Sequence, residues 1–183
     1  KAVVFFKQAI EKDPNFALAY SGLADTLNLF PNNGDFRPKD YRPQAKQAAL
    51  KALELDPNLA EAHTSLAKIL FDYEYDFAGA EKSFKRAIEL DPNYASARQW
   101  YSELLSVSNR NDEATKEITK ALELDPFSMV INHWMAVHLY RLGRYDEALL
   151  QTKKVSELFT NSAFFHSLNS SIYAAQGKYD QAV

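Results

Sequence analysis

At 183 residues, with 46% hydrophobic and 25% charged side chains, the chain has the composition of a folded protein built on apolar burial. Its net charge is −3, with Lys and Arg scattered among Asp and Glu, so no basic face is set to recruit a phosphate backbone. It has no cysteine, which excludes disulfide frameworks, thiolate metal sites and cysteine nucleophiles together. No apolar run approaches membrane-spanning length, and Lys1 to Ile10 lacks the layout of a signal peptide.

Lys1 to Glu11 carries Ala2, Phe5, Phe6, Ala9 and Ile10 at three-to-four spacing, the pattern of an amphipathic helix. It is expected to end at Asp13, because Pro14 cannot continue the hydrogen-bond ladder. A first helix follows from Ala17, with Tyr20, Leu23, Ala24 and Leu27 on one face. The stretch 30–38, FPNNGDFRP, is dense in turn residues, and the helix after it carries Ala45, Ala49, Ala52 and Leu53. That helix starts at Pro38 with a disturbance at Pro43, or only near Asp40; the sequence leaves both open.

The next pair places His63, Leu66, Ala67 and Leu70 before a turn around Phe71 to Asp76, then Phe77, Ala80, Phe84, Ala87 and Ile88. Asn58 followed by Glu61 reads as a capping pair for its first helix. A third pair has Arg98, Tyr101, Ser102 and Leu105, a turn at Asn109 to Asp112, and Ala114, Ile118, Ala121 and Leu122. A fourth has Asn132, Met135, Ala136 and Leu139, a turn at Gly143, and Tyr145, Ala148, Thr152 and Val155, closing on SELFTN at 156–161. A fifth starts at Ala163 with His166, Asn169, Ser170 and Tyr173 and turns at Gly177.

One phrase organises all of this: AIEKDPN at 9–15, ALELDPN at 52–58, AIELDPN at 87–93 and ALELDPF at 121–127. From proline to proline the intervals are 43, 35 and 34 residues, a period near 34 with nine extra residues in one unit. A fixed period of that size means stacked repeats. The units read as 1–13 (a second helix), 17–57 with an inserted loop at 30–38, 60–92, 95–126, 129–160 and 163–183. Opening and closing inside a unit, the chain reads as a piece of a longer protein. Small residues recur where paired backbones should come closest: Ala24, Ala67, Ser102 and Ala136 in first helices, and Ala45, Ala80, Ala114 and Ala148 in second helices. Phe77, Tyr145, Tyr179 and Phe84 are expected to fill the wider gaps. Gly143 and Gly177 suit a left-handed residue after a helix end.

The period, the small residues and the closing proline resemble the tetratricopeptide repeat family, most specifically in Ala80 to Asn93 (AEKSFKRAIELDPN) and Tyr145 to Leu149 (YDEAL). The family's first-helix tryptophan is replaced here by Tyr20, His63, Arg98, Asn132 and His166. The resemblance implies an all-α fold, a right-handed α-solenoid of antiparallel helix pairs, whose first helices line a concave face that clamps a peptide or partner helix. It implies a non-enzymatic scaffold within a larger cytoplasmic regulator, and the run from Ala60 to Pro126 is similar to repeat regions appended to bacterial multidomain proteins. The alternative is a structural spacer, or self-association through terminal helices.

Inner-face positions implied by the resemblance include Glu61, Thr64, Lys68, Gln99, Glu103, Val130, His133, Val137 and Tyr140, with Trp100 and Trp134 at equivalent places in consecutive units. Trp100, Trp134, Val137 and Tyr140 then form either an aromatic floor for a bound segment or ordinary packing between helices. Some relatives hold a C-terminal carboxylate through a Lys/Asn/Arg constellation whose positions are filled here by Ser21, Asp25, Ser65, Ser96 and Trp100 in one frame and by Thr64, Lys68, Trp100, Val130 and Trp134 in the next; only Lys68 could contribute, which argues against that ligand. His63 and His166 are expected to point inward, and His133 and His138 are five apart, unlike the plus-four spacing of helical zinc pairs. No metal, cofactor or nucleic acid is expected. Asp and Glu that recur with the repeat, such as Glu54, Glu89 and Glu123, read as solvated faces.

Overall fold

Each Asp-Pro junction folds in one way, so the repeat of the sequence becomes a repeat of the backbone. Proline lacks an amide hydrogen and holds the residue before it extended. In the computed structural model, which describes residues 1–29, 38–156 and 163–182, Asp13 and Asp91 accordingly sit at φ −137° and −132°. The amides of Asp13, Asp56, Asp91 and Asp125 donate back to Ala9, Ala52, Ala87 and Ala121, ending each helix. The carboxylates of Asp13, Asp56 and Asp91 accept from the amides of Asn15, Asn58 and Asn93 at 3.0, 2.9 and 2.9 Å, which folds the chain into an Asx turn. A third clip comes from the next helix. His63 Nε2 lies 3.0 Å from the Pro57 carbonyl, Arg98 Nε donates to that of Pro92 at 3.0 Å, and Asn132 Nδ2 donates to that of Pro126 at 2.9 Å.

The described residues form ten α-helices and no strand: α1 (Ala2–Lys12), α2 (Ala17–Asn28), α3 (Pro38–Leu55), α4 (Ala60–Ile69), α5 (Phe77–Leu90), α6 (Ala95–Val107), α7 (Asn111–Leu124), α8 (Met129–Arg141), α9 (Tyr145–Ser156) and α10 (Ala163–Ala175). They divide into two compact units, Lys1–Trp100 and Tyr101–Val183. α3 begins at Pro38 and runs through Pro43, which decides between the two starts left open by the sequence. Residues 30–37 of the expected insertion, and 157–161 of the SELFTN segment, lie outside the described residues.

In the first unit α2 packs on α1, α3 and α4. Leu23, Ala24 and Leu27 meet Ala45, Ala48, Ala49 and Ile69, with Phe6 and Ile10 of α1 against them. Gly22 faces Phe6, and a Cβ there would overlap the ring, so α1 and α2 require the glycine. In the second unit Ala136 and Leu139 of α8, Ala148 of α9, and Leu168 and Ile172 of α10 form the corresponding core.

The small positions are buried as their spacing implies. Second helices repeat a triplet that is closed to solvent: Ala45, Ala49 and Ala52; Ala80, Phe84 and Ala87; Ala114, Ile118 and Ala121; Ala148, Thr152 and Val155. Alanine holds the helices close at the first place, while the second varies in size to suit the local gap. Not every expected gap-filler is used: Phe77 and Tyr179 are exposed, and Phe77 instead rests edge-on against Phe71 at 5.7 Å. α10 is rotated by about one residue from expectation. It buries Phe165, Leu168 and Ile172, which outcompete His166 for the core, and leaves His166 exposed. The Asn58 and Glu61 cap does not form. Leu59 is the N-cap of α4, and Asn58 Oδ1 accepts from Arg86 at 3.0 Å.

The 35-residue interval is absorbed in a π-helical turn, Leu70–Glu74, that extends α4 before Asp76 caps α5 by accepting from Gly79 N at 2.9 Å. The turn closes on Tyr75, left-handed at φ 56°; Asn109, Gly143 and Gly177 fill the same role at φ 59°, 73° and 73°. Glycine or asparagine tolerates this region, whereas a tyrosine is strained there. The Tyr75 side chain is 72% exposed, so little packing offsets the strain. Tyr75→Gly is therefore expected to raise the free energy of unfolding in urea by about 0.5 to 1 kcal/mol, a left-handed penalty of about 1 to 2 kcal/mol reduced by the extra chain entropy of glycine. A loss of stability would contradict this account of the turn.

Candidate functional site

Of the first helices, α4 is buried nearly all round, without an exposed residue. α4 withdraws Ala60, Ala62, Thr64, Ser65, Ala67, Lys68 and Ile69 from solvent. Polar residues there must find partners within the helix layer. Thr64 and Ser65 hydroxyls donate to the carbonyls of Ala60 and Glu61, each at 2.9 Å.

In the first unit the expected site residues Lys68 and Trp100 come together. The Lys68 ammonium is 5.7 Å from the Trp100 ring, 5.2 Å from that of Phe71, and 3.3 Å from Asp72 Oδ1. Asp72 lies in the π turn, one turn beyond Lys68. Lys68 is only 7% exposed and Trp100 half-buried, so this cluster stiffens the layer as well as lining it.

The sequence reading missed a second cluster on the same unit. Ser21 of α2 and Ser65 of α4 face each other, with Oγ to Oγ 3.1 Å. One turn after Ser21, Asp25 is largely buried; desolvation raises its carboxyl from 3.8 to about 6, against a hydrogen bond from Ser65, with the charge of Glu61 raising it further. Tyr94 stands near both carboxylates. Its phenol is pushed above the ordinary range by burial first, then by Asp25 and Glu61. A signal was available: the position of Asp25 in its repeat is filled by Lys68, Glu103 and Val137 in the others, so its charge does not recur as a solvated face would.

In the second unit Glu103 is buried on α6. On α8, Val130, His133, Trp134, Val137 and Tyr140 follow a three-to-four spacing along one side. Val130 is 51% exposed and the other four half-buried. His133 stacks edge-on with Trp134 at 6.0 Å and Phe165 at 5.9 Å, and burial lowers its pKa. Arg141 lies 5.9 Å over the Trp134 ring, and Tyr140 is 5.8 Å from Tyr145. His138 turns the other way, with Nε2 at 2.8 Å from the Thr115 hydroxyl; burial, then Arg141 and Arg144, lowers its pKa. Among the described residues no three His, Asp or Glu side chains gather as metal ligands, and no helix is long and apolar enough to cross a membrane.

Paired helices stacked by nearest-neighbour contacts define an α-solenoid. Residues 73–130 match the family model of the tetratricopeptide repeat. No curated protein matches the chain. Among solved structures it is similar to YrrB, a protein of this repeat class with an unusual peptide-binding site, at 21% identity over 97% of this chain and 87% of that one, TM-score 0.60. It is similar to TTC0263, a thermophilic repeat protein of Thermus thermophilus, at 20% identity over 94% and 89%, TM-score 0.77. It also resembles human IFIT1 in complex with m7Gppp-AAAA, at 17% identity over 98% of this chain but 43% of that one, TM-score 0.79. The chain thus has the paired-helix repeat fold of these proteins, and its residues 73–130 match the tetratricopeptide repeat itself.

The charged cluster generates a stability prediction. The folded chain holds a proton on Asp25 more tightly than the unfolded chain, so this group makes stability fall as pH rises from about 4 to about 6, with the loss retained above. Relative to the parent, Asp25→Asn is expected to remove that slope and gain up to about 3 kcal/mol at pH 7.5. Urea unfolding of both proteins between pH 4 and 7.5 measures the difference; a constant or falling difference would contradict the assignment.

Proposed function

We propose that this protein is a binding scaffold whose first-helix faces hold an extended peptide or a partner helix, without chemistry of its own. The observation that carries the reading is α8. It buries Ile131, Ala136 and Leu139, and Val137 and Tyr140 pack partly against that core, yet Val130 stays exposed and Trp134, Val137 and Tyr140 keep part of their surface open. A helix that is apolar on two sides and fully buries one has surface left for a partner. Trp100 gives the first unit an aromatic residue at the equivalent repeat position. The fold shared with YrrB, which has a peptide-binding site, is consistent with this use. A capped RNA, as bound by IFIT1, is not proposed here, because the net charge is −3 and the first unit carries Asp25 and Glu61 on its inner helices.

A second reading, stacking of repeats on one another, is favoured by α1, where Val4 and Phe5 are 54% and 66% exposed. One experiment separates the two. Panning a random dodecapeptide library on the chain is expected to enrich binders whose affinity drops about tenfold or more with Trp100→Ala or Trp134→Ala, the behaviour of aromatic anchors. Binders indifferent to both changes, or no binders and a concentration-dependent dimer in sedimentation that Phe5→Lys abolishes, would replace the first reading with the second.

A further inference from the structure

We propose that a cavity between α7 and α9, within the unit Tyr101–Val183, binds a small aliphatic monocarboxylate, its tail on α8 and its head at Lys154. The cavity uses the side of α8 turned to the second helices, so it does not rest on the peptide-binding reading above.

The cavity exists because two side chains are short. Its floor is Met135 and Leu139 of α8, and Thr115 and Thr119, one turn apart on α7, form one wall. The same two repeat positions hold Lys46 and Leu50 in α3, and Glu81 and Lys85 in α5. Those longer charged side chains find partners: Lys46 reaches Glu74 at 2.7 Å, and Lys85 pairs with Glu81 at 2.8 Å. Threonine at both positions can form neither bridge, and about 250 Å³ stays open between two helices that each pack on α8. A cavity of about 150 Å³ holds a benzene ring, so this one suits about six to ten non-hydrogen atoms rather than a drug-sized molecule. Leu150, which also lines it, is 56% exposed, so the apolar surface is reachable from solvent.

The donors on the walls select the head group. On the α9 side, Arg144 donates to both carboxylate oxygens of Glu147 at 2.7 and 2.6 Å, so these two charges answer each other. Lys154, on the same side, has no hydrogen bond or ion pair among the described residues and leaves the cavity with one net positive charge. The Thr115 hydroxyl donates to the Asn111 carbonyl at 2.8 Å, with His138 Nε2 also at 2.8 Å, and the Gln151 amide nitrogen donates to Asn132. That leaves the Lys154 ammonium and the Thr119 hydroxyl as donors for an anion. One cation and one hydroxyl match a carboxylate, whereas a phosphate would bring a second charge with no partner and no carbon for Met135 and Leu139.

The chain has two methionines, Met129 and Met135, so isotope-labelled methionine methyl groups give one NMR probe in the cavity and one control outside its lining. Titrating hexanoate is expected to shift the Met135 signal saturably and leave Met129 in place, with a dissociation constant of about 1 mM, the affinity that about eight non-hydrogen atoms supply in an open site. Hexanol should bind about fivefold more weakly or worse, and hexylamine or inorganic phosphate should give no shift at the same concentration. Lys154→Gln should reduce hexanoate to the affinity of hexanol while leaving hexanol unchanged. Thr119→Leu, which installs the residue that α3 carries at this position, should fill the cavity and weaken both ligands about tenfold. Both positions are exposed, and an unmoved Met129 signal reports that each variant keeps its fold; if Thr119→Leu does not, Lys154→Gln alone decides. An unshifted Met135 signal, binding of hexanol or phosphate as tight as that of hexanoate, or a response to hexanoate that survives Lys154→Gln overturns the inference.

Discussion

Two helices of a pair approach until alanine meets its neighbour with no solvent between them, and the rest of the structure follows from that distance. Ala45, Ala80, Ala114 and Ala148 are each closed to solvent, as are their partners Ala24, Ala67 and Ala136. A helix of 12 to 14 residues is marginal by itself, so its stability comes from this contact rather than from intrinsic propensity. One turn further on, the side chain changes from Ala49 to Phe84, Ile118 and Thr152, which adjusts each pair to its own neighbours without moving the close contact. The Asp-Pro turn supplies the other constraint. Its Asx bond at Asp13, Asp56 and Asp91, and the contact from the next helix to the carbonyls of Pro57, Pro92 and Pro126, fix where the following helix begins, so the alanines come into register.

That arrangement creates two kinds of helix. Second helices carry one buried stripe and a solvated back, where pairs such as Arg144 with Glu147 and Lys120 with Glu123 lie in water and contribute little. First helices are enclosed on more sides, and their polar residues must be satisfied locally, as Thr26 shows by donating to Gly22 O at 2.8 Å. Positions on first helices that the stack does not need are free to differ from unit to unit. Asp25, Lys68, Glu103 and Val137 occupy one repeat position and differ in charge and polarity.

Much of the fold was legible because it repeats. The phrase from Ala87 to Asn93 predicted a helix end, a turn and a helix start, and the same bonds recur at Asp13, Asp56 and Asp91. What resisted reading was local and competitive. Periodicity marked His166 as inward, but Phe165, one residue earlier, has more apolar surface to bury and turned the helix. The extra residue near Phe71 was visible as a count, while its resolution into a π turn ending on a left-handed tyrosine depends on packing at Leu70. Within the candidate site, Trp100 and Trp134 stood out by type. Asp25 did not, because a single carboxylate in a helix looks solvated until Ser65, Glu61 and Tyr94 are placed around it.

The central claim is that close alanine contact, pair by pair and neighbour by neighbour, holds this protein together. Ala80→Leu with hydrogen exchange tests it most directly, because overpacking of about 1 to 3 kcal/mol is confined to the pair that α5 forms with α4. The account predicts that amides of α4 and α5 lose protection about tenfold or more while those of α8 and α9 keep theirs, as expected of a quasi-one-dimensional stack. Equal loss across all helices, as from a single cooperative core, would contradict it.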